Sequence, residues 1–124
     1  QLADYRGHYT LLDFWAAWCE ACDEDREQLE KLANELNDAG SKARMLSIEN
    51  PGSGTYTRAP PSTRKSWRAA RVIYDDNTPS VEYETLFQSL NVSALPCYLI
   101  VDPDGKLVYQ GPIKRALEKM REVR

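Results

Sequence analysis

The sequence predicts an α/β fold in which helices flank a mixed β-sheet. An apolar run at Thr10–Ala16, typical of a buried strand, is followed by a helix-periodic run at Cys22–Asp38. A second apolar run lies at Ser41–Glu49, and this spacing predicts a parallel β-α-β unit. Nearer the C-terminus, two apolar runs flank a Pro-Asp-Gly turn, which predicts an antiparallel hairpin. Parallel and antiparallel pairs in one sheet make that sheet mixed.

The middle and end of the chain supply the remaining elements. Asn50–Pro61 is rich in Gly, Pro, Ser and Thr and is predicted to be loop, and Ser62–Arg71 is predicted to be a short helix with Trp67 and Ala70 inward. We further expect an edge strand at Val72–Tyr74, a turn at Asp75–Ser80, a helix at Glu82–Leu90, strands at Cys97–Asp102 and Lys106–Gln110, and a helix at Ile113–Val123. The order is β-α-β-α-β-β-α with a central insertion, and its β-α-β unit should be right-handed.

Length and composition limit the possible classes of protein. The 124 residues carry a net charge of −3, which argues against a general nucleic-acid binder. No apolar run approaches the ~18 residues that a membrane-spanning helix requires. We expect one domain over residues 1–124, which either begins late or is one module of a longer polypeptide, because Gln1 is not a natural start.

Two cysteines, Cys19 and Cys22, lie where the first strand gives way to the helix. At i and i+3 of a helical turn their side chains share a face, about 5–6 Å apart at Cβ, so a disulfide can close. Unpaired N–H groups and the positive dipole end at the helix start favour a thiolate at Cys19. Cys22 shares the inward stripe with Leu29, which leaves Cys19 the more accessible thiol. We therefore expect Cys19 to attack and Cys22 to resolve.

A structural metal site or an inert disulfide is the alternative interpretation of the pair. A zinc site needs two further ligands, and the chain offers only Cys97 and the lone His8. A copper site of the Sco type would also require a late histidine. A bridge that closes so small a loop restricts the unfolded chain little. The pattern therefore favours redox chemistry, with no metal.

An acid interrupts the first apolar run at Asp13. A central parallel strand is buried on both faces, so burial without a full partner would raise the pKa of this carboxyl toward neutrality. It could then exchange a proton near neutral pH. The alternative is an aspartate at the strand end that reaches solvent.

Acidic residues surround the cysteine pair. Only Arg26 opposes the acidic group formed by Glu20, Asp23, Glu24, Asp25 and Glu27. Acids are common in a first helical turn, but their charge also disfavours the Cys19 thiolate. Because oxidants of this chemistry depend on a stabilised thiolate, the acidic group favours a reductant or a balanced exchanger.

Two segments resemble a known family. Leu11–Cys22 is similar to the active-site segment of thioredoxin-fold proteins, and Val92–Pro96 followed by Tyr98–Val108 is similar to their cis-proline segment and terminal hairpin. The sequences of these two segments are most similar to those of the extracytoplasmic TlpA/ResA-like thiol–disulfide oxidoreductases. The resemblance implies a thioredoxin-like fold and an extracytoplasmic, periplasmic setting in a bacterium.

The resemblance also implies roles for particular residues. Asp13 lies six positions before Cys19, as does the thioredoxin aspartate that accepts a proton from the resolving thiol. The Leu95–Pro96 bond should be cis and pack against the cysteines, and Leu95 should offer its backbone to substrate as a strand would. Trp18 and Leu95 would form an apolar rim around the attacked bond.

The expected function is thiol–disulfide exchange with protein substrates, in the reducing direction and without a dissociable cofactor. A redox partner must recycle the pair, and we expect a monomer. Three alternatives stay open: a non-catalytic binding or chaperone module, a peroxidase-like enzyme and a metal carrier. Cys97 is expected to be a small buried hydrophobe, with a third redox thiol as the alternative.

Overall fold

A computed structural model of the chain describes residues 5–16, 19–50, 67–71 and 95–123. Within these ranges, two helices lie at α1 (Glu20–Asp38) and α2 (Ile113–Glu122). The strands are β1 (Thr10–Ala16), β2 (Arg44–Asn50), β3 (Trp67–Arg71), β4 (Cys97–Val101) and β5 (Leu107–Gly111). The strands predicted at Thr10–Ala16, Ser41–Glu49 and in the terminal hairpin are therefore confirmed, with small shifts at their ends.

The described strands form one mixed sheet in the order β3-β2-β1-β4-β5. β1 pairs in parallel with β2 and antiparallel with β4, so it lies at the centre. β2 pairs in parallel with β3, and β4 pairs antiparallel with β5. The predicted mixed sheet with flanking helices is confirmed.

Each face of the sheet carries its own core. The face beneath the helices buries side chains from both of them, namely Leu29, Leu32 and Leu36 of α1 and Ala116, Leu117 and Met120 of α2, against Leu11, Met45, Tyr98 and Ile100. The opposite face buries Leu12, Phe14, Leu46, Ile48 and Leu99. All seven residues of β1 are buried, as its nearly continuous apolar pattern predicts.

The prediction of a helix at Ser62–Arg71 is wrong where the structure describes that segment. Trp67–Arg71 is strand β3, whose register on β2 runs from the Met45–Trp67 pair to the Glu49–Arg71 pair. Alanine and arginine favour a helix, but local propensity is weak beside the hydrogen bonds that an open strand edge offers. Because this segment is a strand, the prediction that Trp67 and Ala70 lie on the inward face of a helix is wrong as well.

Several sequence predictions lie outside the described residues. These are the loop after Asn50, the edge strand Val72–Tyr74, the turn Asp75–Ser80, the helix Glu82–Leu90 and the rim residue Trp18. Neither α1 nor α2, the helices of the described part, is long and apolar enough to cross a membrane.

We expect the α1 core contact to be a major source of stability. Leu32 is fully buried beneath α1, so Leu32→Ala should lower the free energy of unfolding by about 2–5 kcal/mol. Leu107 is 48% exposed on β5, and Leu107→Ala should cost less than about 1 kcal/mol. Urea unfolding of the two variants measures both values, and equal losses would contradict this assignment of the core.

Candidate active site

The cysteine pair lies at the junction between β1 and α1. β1 ends at Ala16, whose carbonyl accepts the N–H of Cys19 at 3.1 Å, and α1 begins at Glu20. Cys19 is the helix N-cap: its backbone is extended and its Sγ accepts the N–H of Cys22 at 3.2 Å. A disulfide joins Cys19 and Cys22, with their Cα atoms 5.3 Å apart. The Cys19 sulfur therefore occupies the acceptor position at the positive end of the helix.

Both cysteines are buried in this disulfide-bonded state, and the difference in accessibility has the predicted direction but is small. Cys19 is 6% exposed and Cys22 is 4% exposed. Both lie in an apolar cluster with Trp15 and Ala16, and Leu95 packs against that cluster. Sequence reasoning placed Cys19 at an open helix end, but the end of β1 and Leu95 cover it.

Leu95 reaches the cysteine cluster because β4 runs antiparallel beside β1. Cys97, the first residue of β4, is the register partner of Phe14 near the end of β1. The preceding Leu95 is half-buried against the cysteine cluster, and the Leu95–Pro96 peptide bond is cis. The structure thus brings Leu95 and the start of β4 to the disulfide.

Asp13 is a buried acid on the sheet face that α1 covers. It is 5% exposed, and its Oδ2 accepts a hydrogen bond from the Ser47 hydroxyl at 2.8 Å. Burial raises the pKa of Asp13 to about 7. The Ser47 hydrogen bond and the charge of Arg26 pull that pKa down, and the charge of Asp25 pushes it up. Asp13 can therefore hold or release a proton near neutral pH.

Two further contacts connect α1 to the strands around Asp13. The Tyr98 hydroxyl donates to Asp25 Oδ2 at 2.8 Å, and burial raises the pKa of this phenol. The Arg26 guanidinium lies 4.9 Å from the centre of the Trp15 ring, which is a cation–π contact.

Sequence reasoning missed Ser47, Tyr98 and Trp15 as parts of the site. The available signal at Ser47 was a hydroxyl inside the apolar run Met45–Ile48. Arg26 was recognised only as the cation among the acids, and nothing in its spacing reported the contact with Trp15.

Cys97 lies apart from the disulfide cluster. It is half-buried and packs against the core on the sheet face opposite α1. Burial raises the pKa of its thiol, and a hydrogen bond with Gln110 acts against that rise. Among the described residues, no three His, Cys, Asp or Glu side chains are grouped so that they could hold a metal ion.

A family model described as the AhpC/TSA family matches residues 1–110. The chain belongs to the AhpC/TSA family.

Two curated relatives from Bacillus subtilis support the resemblance found in the sequence. The thioredoxin-like protein YneN is 30% identical over 105 residues, which cover 84% of this chain and 56% of that protein. The thiol-disulfide oxidoreductase ResA is 26% identical over 108 residues, which cover 87% of this chain and 55% of that protein. The chain therefore spans about half the length of these two relatives.

Solved structures share the fold at low sequence identity. The thioredoxin domain of a thiol-disulfide oxidoreductase from Bacteroides vulgatus is 20% identical with a TM-score of 0.72, and the match covers 99% of this chain and 84% of that one. The exposed lipoprotein thioredoxin Etrx1 from Streptococcus pneumoniae is 23% identical with a TM-score of 0.66, over 98% and 89% of the two chains. The predicted thioredoxin-like fold is confirmed.

We expect Asp13 to make stability depend on pH. Its folded pKa is about 7 against an ordinary value of 3.8, so between these values the folded chain holds a proton that the unfolded chain lacks. Stability attributable to Asp13 is therefore lost as pH rises from about 4 to about 7. Asp13→Asn should be more stable than the parent at about pH 8, by up to about 4 kcal/mol, and the gap should close near pH 4.

Urea unfolding at several pH values measures this difference. Asp104→Asn, at an exposed turn position, is the matched control and should change stability by less than about 0.5 kcal/mol. A constant gap between Asp13→Asn and the parent across the pH range would contradict the raised pKa.

Proposed function

We propose that the chain exchanges electrons with protein disulfides through Cys19 and Cys22, in the reducing direction. The observation that carries this proposal is the disulfide at the N-terminus of α1, with Cys19 Sγ accepting the Cys22 N–H. The AhpC/TSA match and the similarity to a thiol-disulfide oxidoreductase, ResA, support it.

The proposed reaction has two displacements. The Cys19 thiolate attacks one sulfur of the substrate disulfide, forming a mixed disulfide and releasing the other substrate sulfur as a thiolate. Cys22 then passes its proton to Asp13 and attacks the Cys19 sulfur. The second substrate sulfur leaves as a thiolate and is protonated from solvent. Two electrons have moved to the substrate, and the Cys19–Cys22 disulfide has formed.

Asp13 suits the second displacement because a general base works best when its pKa lies near the working pH. The pKa of Asp13, raised by burial to about 7, meets that condition. Asp13 lies on the same face of β1 as Trp15, and Trp15 belongs to the cluster that contains Cys22. The side chains of Asp13 and Cys22 therefore both face the layer between β1 and α1.

Substrate binding is proposed for the segment before β4. The half-buried Leu95 packs against the cysteine cluster, and its backbone would pair with an extended substrate chain as an added strand does. Pro96 would hold that segment against the disulfide. Trp18 is proposed as the remaining part of the apolar rim from the sequence resemblance alone.

We also propose a cellular location, a redox direction and a recycling partner for the chain. The similar exposed lipoprotein thioredoxin supports an extracytoplasmic site of action, and the sequence resemblance alone supports a periplasmic one in a bacterium. Glu20, Glu24 and Glu27 are exposed in the N-terminal part of α1, the helix that follows Cys19, and their charge supports reduction of substrates over oxidation. A recycling partner would return electrons to the pair, and the chain would act as a monomer without a dissociable cofactor.

The burial of both cysteines favours a second candidate, a thioredoxin-fold module that binds partners without exchanging electrons. A titration with dithiothreitol, with free thiols counted at each step, separates the two. Electron exchange requires that dithiothreitol reduces the Cys19–Cys22 disulfide in the folded protein and that the disulfide forms again on oxidation. A disulfide that resists reduction in the folded protein would favour the binding module.

We expect the two cysteines to fail in different ways when replaced. Cys19→Ser should abolish reduction of an insulin-type substrate, and Cys22→Ser should accumulate a mixed disulfide because nothing resolves it. Cys97→Ser is the matched control and should keep the parent rate, because Cys97 lies on the other sheet face. Thiol trapping followed by mass measurement identifies the adduct. Activity in the Cys19→Ser, Cys22→Ser double variant would contradict the proposal.

The redox equilibrium with glutathione tests the proposed direction. Acidic charge near Cys19 should place the potential closer to thioredoxin, at about −270 mV, than to strong oxidants of this fold, at about −120 mV. Glu20→Gln combined with Glu24→Gln removes two exposed charges and should move the potential toward the oxidising side. A parent potential near the strong oxidants would reverse the direction.

A further inference from the structure

Three polar side chains form a row across the centre of the sheet. Ser47 of β2 and Tyr98 of β4 are the register partners of Asp13 in β1, on either side of it. Their exposed fractions are 0% for Ser47, 5% for Asp13 and 0% for Tyr98. We call these three residues the polar row. Register partners point to the same face, so the row lies beneath α1 within an otherwise apolar core.

Helix α1 brings one negative and one positive charge to the polar row. The Tyr98 hydroxyl donates to Asp25 at 2.8 Å and so holds this carboxylate near the row. The Arg26 guanidinium lies over the ring of Trp15, at 4.9 Å from its centre. Trp15 is two residues beyond Asp13 on the same strand face, a separation of about 7 Å along β1. Opposite charges from consecutive helix positions therefore approach Asp13.

We propose that Ser47 and Arg26 are positioning residues that favour the charged form of Asp13, and that Asp25, held by Tyr98, opposes them. This inference rests on the proposed function, in which Asp13 takes the proton of Cys22. Ser47 acts by donating a hydrogen bond to one carboxylate oxygen, which also orients the carboxyl group. Arg26 and Asp25 act by charge across a poorly solvated layer.

The other titratable and charged groups around Asp13 are few in the described part of the chain. From α1 these are Cys22, which is disulfide-bonded, and Asp23, which lies 3.6 Å from Arg26. From β4 they are Tyr98, whose phenol stays protonated, and Cys97 on the other face. The directions of the pKa effects agree with the geometry: Ser47 and Arg26 lower the pKa of Asp13, and Asp25 raises it.

The opposing effects of these residues on the pKa of Asp13 determine how readily Asp13 accepts a proton from Cys22. Without Asp25, the pKa of Asp13 would lie lower, and the carboxylate would hold the Cys22 proton less well. Without Ser47 and Arg26, that pKa would lie higher, and a smaller fraction of Asp13 would be charged and able to accept a proton at neutral pH. The three groups together would keep Asp13 in the range where it accepts and then releases a proton.

The test is a titration of the Asp13 carboxyl carbon by NMR in the oxidised protein, which requires no turnover. Ser47→Ala should raise the titration midpoint by about one pH unit, because a hydrogen bond to a charged group is lost. Arg26→Gln should also raise it, and Asp25→Asn should lower it while keeping an oxygen for Tyr98. Lys31→Gln is the matched control, because Lys31 is exposed on α1 and pairs with Glu27 at 4.0 Å.

The pattern of signs decides the outcome. Opposite shifts for Arg26→Gln and Asp25→Asn, with no shift for Lys31→Gln, support the proposal, and shifts of the same sign or none overturn it. Ser47→Thr keeps the hydroxyl and should restore the parent midpoint. If Ser47→Ala does not fold, the two partly exposed helix variants still decide the test.

The rate of substrate reduction against pH separates this inference from the proposed function. If the carboxyl midpoint moves as described and the pH–rate profile moves with it, both stand. If the carboxyl midpoint moves while the rate profile does not, the effect of the three residues on Asp13 stands and the role of Asp13 in exchange fails.

Discussion

The burial of β1 on both faces is the constraint on which the rest of the site depends. A strand between β2 and β4, covered by a helix on one face and by an apolar cluster on the other, has almost no access to water along its length. A carboxyl group placed on it cannot keep its solution pKa, because the charged form loses its hydration. The last two residues of β1, Trp15 and Ala16, lie in one apolar cluster with Cys19 and Cys22. The proposed redox pair and the proposed proton acceptor thus come from one continuous stretch of sequence.

The antiparallel neighbour β4 connects this segment to the rest of the site. Its first residue pairs with Phe14, so the chain before it, Leu95 and Pro96, must lie beside the cysteines. Its second residue, Tyr98, lies beside Asp13 and reaches Asp25 on the helix. β4 therefore supplies the contact that fixes a charge next to the buried acid, and the segment directly before it supplies the proposed substrate-binding backbone. A shift of its register by one residue would reverse both arrangements, because it turns every side chain to the opposite face.

Features set by local pattern could be predicted from the sequence, and features set by register could not. The apolar run of β1, the periodicity of α1 and the spacing of the two cysteines are local, and each is confirmed in the structure. Ser47 and Tyr98 come next to Asp13 through pairings between residues 34 and 85 positions apart in the chain, which no periodicity reports. Trp67–Arg71 was misassigned for the same reason, since its conformation comes from the edge of β2. Leu95, which packs against the cluster that contains Cys19, is also remote from it in sequence.

The raised pKa of Asp13 implies that the fold gives up stability at neutral pH. An apolar or amide side chain at this position would carry no charge at any pH. The acid, in contrast, must either bind a proton or be charged without water. Ser47 and Arg26 offset part of that penalty, and Asp25 adds to it. A group that served only packing would gain nothing from a neighbouring carboxylate anchored by a buried tyrosine. The arrangement is intelligible if the acid must change protonation state, and the cysteine pair at the end of the same strand is the nearest chemistry that would require such a change.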